Sequence, residues 1–209
     1  MIQAVIFDFG GVITESPFEA FAKLEQARGL PKDFIRRINS TNPHENAWAR
    51  FERSELDLAG FDEAFALEAH AAGHPLRGAD VLGCLQGALR PAMVKALEHI
   101  RTRAKAGCIT NNVKHDDSTT TWSSPNVARV MTLFHHVIES SKVGVRKPDP
   151  RIYAMMVEAL EVDPKACVYL DDLGINLKPA RDMGMTTIKV LSGDQALADL
   201  EAATGFTLR

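Results

Sequence analysis

With 209 residues, 45% of them hydrophobic and 7% aromatic, the chain has apolar material for one good core, or for a core and a small satellite. Its 24 basic and 27 acidic residues are mixed along the sequence and leave a formal charge of -3 without any basic block. That balance argues against nucleic acid and anionic membranes as partners.

The opening MIQAVIFDFGGVI carries no basic leader and runs directly into a buried strand over Ala4–Phe7, so no cleaved secretory signal is expected. No stretch is apolar for long enough to span a bilayer. After that strand, residues 16–89 contain no convincing strand and read as successive helices. Ser16 and Glu19 have capping-box spacing, Pro17 sits at a first helical position, and Gly29 is placed to end the helix. Further helices are expected over 32–39, 45–55, 62–72 and 79–89. Trp48, Phe51, Phe61 and Phe65 recur there at helical spacing and read as the core of this segment. Its histidines, His44, His70 and His74, show no metal spacing and are expected to be exposed.

Beyond residue 89 the pattern alternates. Pro91–Ile100 starts as a helix with proline at its first position. An apolar run over 106–109 leads to Thr110, and the polar stretch 114–126 reads as a surface loop. A third strand is expected over 136–140. Asp149 caps a helix from Pro150 whose Ile152, Tyr153, Met156, Ala159 and Leu160 share one face. A fourth run, CVYL, precedes Asp171, and TTIKV over 186–190 makes a fifth. Such short, β-branched-rich runs, apolar on both faces, suit parallel strands covered by helices. The expected fold is therefore α/β, a three-layer doubly wound parallel sheet formed by residues 1–15 and 90–209. The all-helical segment 16–89 is placed as a cap over the carboxyl ends of the strands, where open sheets bind ligands. Cys84, Cys108 and Cys167 have no paired spacing and read as packing residues, as suits a reducing cytoplasm.

The strand ends carry polar residues of complementary kinds. Asp8 follows the first strand, and Thr110 with Asn111 and Asn112 follows the second. Lys147 lies after the third, and Asp171 with Asp172 after the fourth. In a parallel sheet these ends share one edge. A carboxylate can attack phosphorus to form an aspartyl-phosphate, but two anions repel, so the site needs a hard cation and fixed donors. Asp172, helped by Asp171, can hold magnesium together with Asp8, while Lys147 and Thr110 can hold phosphoryl oxygens.

In this order the motifs FDFGGVI, ITNN, VGVRKPDPRIY and YLDDLGINLKPARDMGM resemble the four motifs of the haloacid dehalogenase superfamily of aspartate-nucleophile hydrolases. The resemblance covers the whole chain and leans toward the branch of the epoxide hydrolase amino-terminal domain and related sugar-phosphate phosphatases. It implies Asp8 as nucleophile and magnesium held by Asp8, the Gly10 carbonyl and Asp172, with Asp171 ligating directly or from behind. It implies phosphate binding by Thr110, Lys147 and Asn111, the last from side chain or backbone. Asn176 is expected to orient the metal carboxylates. A small phosphorylated metabolite is the implied substrate.

One position departs from that pattern. The family's phosphatases carry a second aspartate two residues after the nucleophile, which protonates the leaving oxygen and then activates water; here it is Gly10. Three readings follow. The protein is a phosphatase whose substrate has a good leaving group, such as an anomeric sugar phosphate, or one that borrows an acid from the cap, with His44 or Glu45 as donor and Arg50 binding substrate. It is a metal-independent 2-haloacid dehalogenase, a branch that also lacks that aspartate. Or it binds a phosphorylated ligand or a partner protein without turnover.

Overall fold

The computed structural model describes residues 1–85, 87–112 and 124–208. β1 (Ala4–Phe7) is apolar at every position and fully buried along its length. Successive side chains of a strand point to opposite faces, so such a strand needs cover on both. Val5 and Phe7 enter one apolar layer, Ala4 and Ile6 the other. β2 (Lys105–Thr110), β3 (His136–Glu139), β4 (Cys167–Asp171) and β5 (Thr186–Lys189) join it in the order β3-β2-β1-β4-β5, every pairing parallel. Phe7 stands opposite Cys108 of β2 and Leu170 of β4, which levels the carboxyl ends of the three central strands. The strand order reverses between β1 and β4, the switch point at which such sheets open a crevice.

The helices are α1 (Phe18–Ala27), α2 (Phe34–Ser40), α3 (Ala47–Glu52), α4 (Leu58–Ala71), α5 (Gly78–Leu82), α6 (Pro91–Ile100), α7 (Pro125–Met131), α8 (Ser140–Val143), α9 (Pro150–Leu160), α10 (Gly174–Asp182) and α11 (Gly193–Thr204). α6, α7 and α11 cover one face of the sheet through residues such as Leu97, Val130 and Leu200. α9 and α10 cover the other through Tyr153, Met156 and Leu177. α1 to α5 close on a third apolar cluster of their own, with Phe34, Phe51, Phe61 and Phe65 at its centre. Phe51 stacks on Phe61 with ring centroids 4.4 Å apart. Among the described residues no helix is long and apolar enough to cross a membrane.

Several local expectations are corrected. Ser16 does not cap α1, which begins at Phe18 without a side-chain cap; its hydroxyl donates instead to Asp172 Oδ2 at 3.2 Å. Gly29 does follow the end of α1 in the left-handed region, at φ 64°. α4 starts earlier than its apolar pattern suggests because Asp57 accepts from the Gly60 N–H. The helix expected over 79–89 stops at Leu82 and tightens into a 3-10 turn over Gly83–Leu85, and Leu89 pairs with Thr14. In α9 the buried stripe is Ile152, Tyr153, Met156 and Leu160, with Ala159 exposed beside it. Of the polar stretch 114–126, Pro125 and Asn126 open α7, and residues 114–123 lie outside the described residues.

Two sets of contacts fasten the helical segment to the sheet. Where the chain leaves and rejoins the sheet, the Glu15 N–H donates to the Ala88 carbonyl and the Arg90 N–H to the Ile13 carbonyl, each at 2.8 Å. On the far side, Arg146 donates from Nε to Glu52 Oε2 at 2.6 Å and from its terminal nitrogen to the Pro43 carbonyl at 2.8 Å. The Ser140 hydroxyl donates to the Glu52 carbonyl, and Ser54 to that of Ser141. Glu52 and Arg146 side chains are 8% and 17% exposed, so the pair is largely desolvated. Removing one partner of such a pair strands the other charge, at about 3 kcal/mol or more. Arg146→Ala is therefore expected to lower unfolding free energy by about 3 kcal/mol in urea titration; a loss below about 1 kcal/mol would class the pair with exposed ones.

Candidate active site

Asp8 continues β1 by one residue, its N–H donating to the Leu170 carbonyl at 2.8 Å, and its side chain stands at the switch point, 11% exposed. Oδ1 accepts from the Phe9 N–H at 2.6 Å and lies 2.8 Å from Lys147 Nζ. Lys147 is fully covered, its side chain 1% exposed, and the same ammonium reaches Asp171 Oδ2 at 2.8 Å. Asn111, one residue past β2, fixes the lysine's backbone from both sides. It donates to the Lys147 carbonyl at 3.0 Å and accepts the Lys147 N–H at 2.8 Å. Its side chain is thus spent on Lys147, leaving its backbone as the donor free to face a ligand. Asn112 likewise ties β2 to the far side of the sheet, through Glu139 and Ser141.

The adjacent acids of β4 have different surroundings. Asp171 is wholly buried and accepts from Lys147, from the Tyr169 hydroxyl at 2.5 Å, from the Leu173 N–H at 2.8 Å and from Asn176 Nδ2 at 3.0 Å. Asn176 thus reaches Asp171 rather than Asp172. Asp172 is half-buried and takes the Ser16 hydroxyl. Gly11 makes room for it. Its φ is 75°, and a Cβ there would stand 2.2 Å from Asp172 Oδ2.

Asp8, Asp171 and Asp172 each offer an oxygen within 4.8 Å of the others. Burial pushes the Asp8 carboxyl well up; the Lys147 ammonium opposes this, and Asp171 and Asp172 reinforce it. Asp172 is pushed up to about 6, by burial first and the charge of Asp171 second. Burial pulls the Lys147 ammonium down, yet the two carboxylates against it hold its proton far above the ordinary lysine range. Three carboxylates and one ammonium leave two negative charges when ionised, the deficit a hard divalent cation fills. Asp171 already has its oxygens engaged, so Asp8 and Asp172 are the carboxylates that fit such an ion.

These groups floor a cavity of about 730 Å³ between the sheet edge and the helical segment. Gly10, Thr110, Asn111, Lys147, Asp172 and Asn176 line it, whereas Asp171 lies behind Lys147. The opposite wall comes from Phe18, Phe21, Trp48 and Leu85, with Arg36 and Arg37 of α2 beside them. Trp48 was expected only as core; it lines this wall while donating to Glu52 at 2.8 Å. His44, Glu45 and Arg50 do not line the cavity. The first two are exposed, and Arg50 faces Glu55 at 4.0 Å. Among the described residues the lining acids other than Asp8 and Asp172 are Glu15, Asp33 and Glu52. Cys108 and Cys167 are buried and Cys84 half-buried, with burial raising all three thiols.

A family model for haloacid dehalogenase-like hydrolases matches residues 2–184. The chain belongs to that family. It is 31% identical over 99% of its length to bifunctional epoxide hydrolase 2 of Sus scrofa, and spans 40% of that relative. It is 30% identical to a phosphatase of Mycobacterium tuberculosis, MT3486, over 88% of this chain and 85% of the relative. A haloacid dehalogenase family enzyme of Bacteroides thetaiotaomicron, crystallised with magnesium and inorganic phosphate, shares the fold. Its TM-score is 0.59 and its identity 18%, covering 90% of this chain and 94% of that one. The chain is thus a hydrolase of the haloacid dehalogenase type, with the parallel α/β core that its strand pattern implied.

Two substitutions probe the floor of this hydrolase's cavity. Gly11→Ala meets both a disfavoured φ and the Asp172 carboxylate, so it is expected to weaken divalent-cation protection in thermal melts by at least about tenfold in concentration. Lys147→Met leaves buried carboxylates unpaired. A carboxyl whose folded pKa lies above its unfolded value destabilises the fold as pH rises through that interval. Lys147→Met is therefore expected to lose about 3 kcal/mol or more against the parent at pH 8 in urea unfolding, with the gap narrowing toward pH 5.

Proposed function

We propose that this hydrolase is a magnesium-dependent phosphatase that cleaves a small phosphomonoester through an aspartyl-phosphate on Asp8. The observation that carries the reading is the Asp8 carboxylate held 2.8 Å from a buried ammonium, beside Asp172, on the floor of a cavity. Asp8, Asp172 and the Gly10 carbonyl would hold the cation. Bound magnesium would screen the phosphoryl oxygens and so permit an anionic nucleophile to approach phosphorus. Lys147, the Thr110 hydroxyl and the Asn111 backbone N–H would bind the phosphoryl oxygens and be preorganised for the charge of the transition state. In this reading Asp171 and Asn176 work through Lys147. The first keeps the ammonium charged and aimed, and the second keeps Asp171 in place. A phosphatase in the same family, similar over most of both chains, supports the assignment, as does a fold neighbour crystallised with magnesium and phosphate.

The wall opposite Asp8 carries Phe18, Phe21, Trp48 and Leu85, which suits a substrate whose remainder offers an apolar face. The test is therefore a panel of aryl and sugar phosphates. Phosphate release is expected to need magnesium, to stop in chelator and to fall at least about 10³-fold in Asp8→Asn. Release that survives this substitution overturns the mechanism. Halide release from 2-haloacids in chelator would assign the site to dehalogenation instead. Heat protection by inorganic phosphate without turnover of any ester would leave a binding protein.

The raised Asp172 carboxyl adds a pH dependence. At about 6, its proton competes with a cation below neutrality, so cation binding releases that proton and strengthens as pH rises. The rise in melting temperature produced by magnesium is expected to be small at pH 5 and to reach its full size by pH 7.5.

A further inference from the structure

We propose, resting on the phosphatase reading, that phospho-Asp8 outlives the step that forms it. The enzyme then serves phosphate esters whose leaving oxygen is weakly basic, namely acyl, aryl or enol phosphates. Residue 10 is a glycine. Its φ lies outside the left-handed region, and a Cβ built on it meets nothing within 4 Å. Neither backbone nor packing calls for glycine, and Gly10 lines the cavity. What position 10 lacks is a proton carrier.

No other lining group supplies one from the floor of the site. Lys147 keeps its proton between two carboxylates. Glu52 is engaged by Arg146 and Trp48, and Asp33 lies 3.5 Å from Arg36. Among the described residues no histidine lines the cavity. Asp172 is committed to the cation, which leaves Glu15 as the remaining acid among the described residues, an exposed side chain on a backbone bridged to Ala88.

The two half-reactions respond differently to this gap. In the first, a bond forms between the Asp8 carboxylate oxygen and phosphorus, and the ester P–O bond breaks. Its electron pair leaves on the departing oxygen, which takes its proton from solvent afterwards. A weakly basic oxygen needs no acid, so the choice of substrate restores this half. In the second, water oxygen bonds to phosphorus and the phosphorus bond to Asp8 breaks, returning a carboxylate that needs no acid either. The water must lose its proton to solvent, since no base stands ready among the described residues on the floor of the site. Since the original leaving group has already gone, no substrate can speed this half. General-base assistance is typically worth about 10²- to 10⁴-fold, so phospho-Asp8 accumulates.

Stopped-flow and acid-quench experiments on a graded series of aryl phosphates with magnesium test this. Each phenol is expected to appear in a burst matching the enzyme concentration, then at one slow rate common to the series. kcat/KM should rise steeply as the phenol becomes more acidic. Mass spectrometry of the quenched protein should find one phosphate, on Asp8. Gly10→Asp fits the open space and is expected to abolish the burst, empty the phosphoprotein pool and raise the slow rate about 10²-fold. Melting temperatures should confirm that Gly10→Asp folds. Linear phenol release from unphosphorylated protein overturns this inference and leaves the phosphatase reading standing. The same linear release lost in Glu15→Gln also overturns it, by making Glu15 the base. No release from any ester, with no phosphoprotein, removes the phosphatase reading itself.

Discussion

A lysine ammonium, 1% exposed, lies 2.8 Å from carboxylates belonging to two different strands, and the geometry of the site follows from that contact. Asp8 ends β1 and Asp171 ends β4, neighbouring strands on either side of the switch point. Like charges so placed repel, and burial compounds the repulsion. Lys147 offsets both, and in turn keeps its proton because two anions face it. The arrangement is reciprocal, and each member is hydrogen-bonded well enough that breaking the set costs more than forming it gains. Tyr169 and Asn176 hold Asp171, Asn111 holds the backbone of Lys147, and the Phe9 N–H holds Asp8.

Lys147 settles only part of the charge. Of the three clustered carboxylates, Asp8 and Asp172 face the cavity and carry the excess negative charge, while Asp171 stays behind them. Gly11 and Ser16 shape the space around Asp172 from the first loop, with Gly11 omitting a side chain and Ser16 donating a hydroxyl. An acidic, solvent-reachable edge backed by a sealed ion pair is suited to binding a cation and an anion together. The cation comes first, because the edge repels bare phosphate until that charge is met.

The strands and the polar residues at their ends were legible in the sequence for a physical reason. Runs such as AVIF and CVYL are apolar on both faces and end abruptly in Asp, which only a doubly covered strand with a functional edge explains. Less local features were hidden. Ser16 matches a capping box, a pattern of four residues, but its partner lies 156 positions away. Asp171 and Asp172 look equivalent in sequence, although alternation along a strand sends them to different surroundings. The same period of two could have singled out Tyr169, which lies on the face of Asp171. His44 and Glu45 were attractive as acids by composition alone; their segment is anchored by Glu52 and Asn46, which turn them outward. The Glu52 and Arg146 pair left no sequence signal, because nothing local joins residues 94 apart.

Arg146 and Lys147 are consecutive, and one anchors the roof of the cavity while the other grips its floor. The roof is joined by an ion pair where α3 meets the sheet, whereas toward α1 and α2 it presents Phe18, Phe21, Arg36 and Arg37 to the cavity. Chemistry and selectivity are thus carried by separable parts of the chain. The floor tolerates little change, since each of its groups answers to another, whereas the α1 and α2 wall can be rebuilt without touching a charge on the floor. A scaffold divided in this way can acquire new substrates by drift or by design in about twenty residues, while the bond-making apparatus stays as it is.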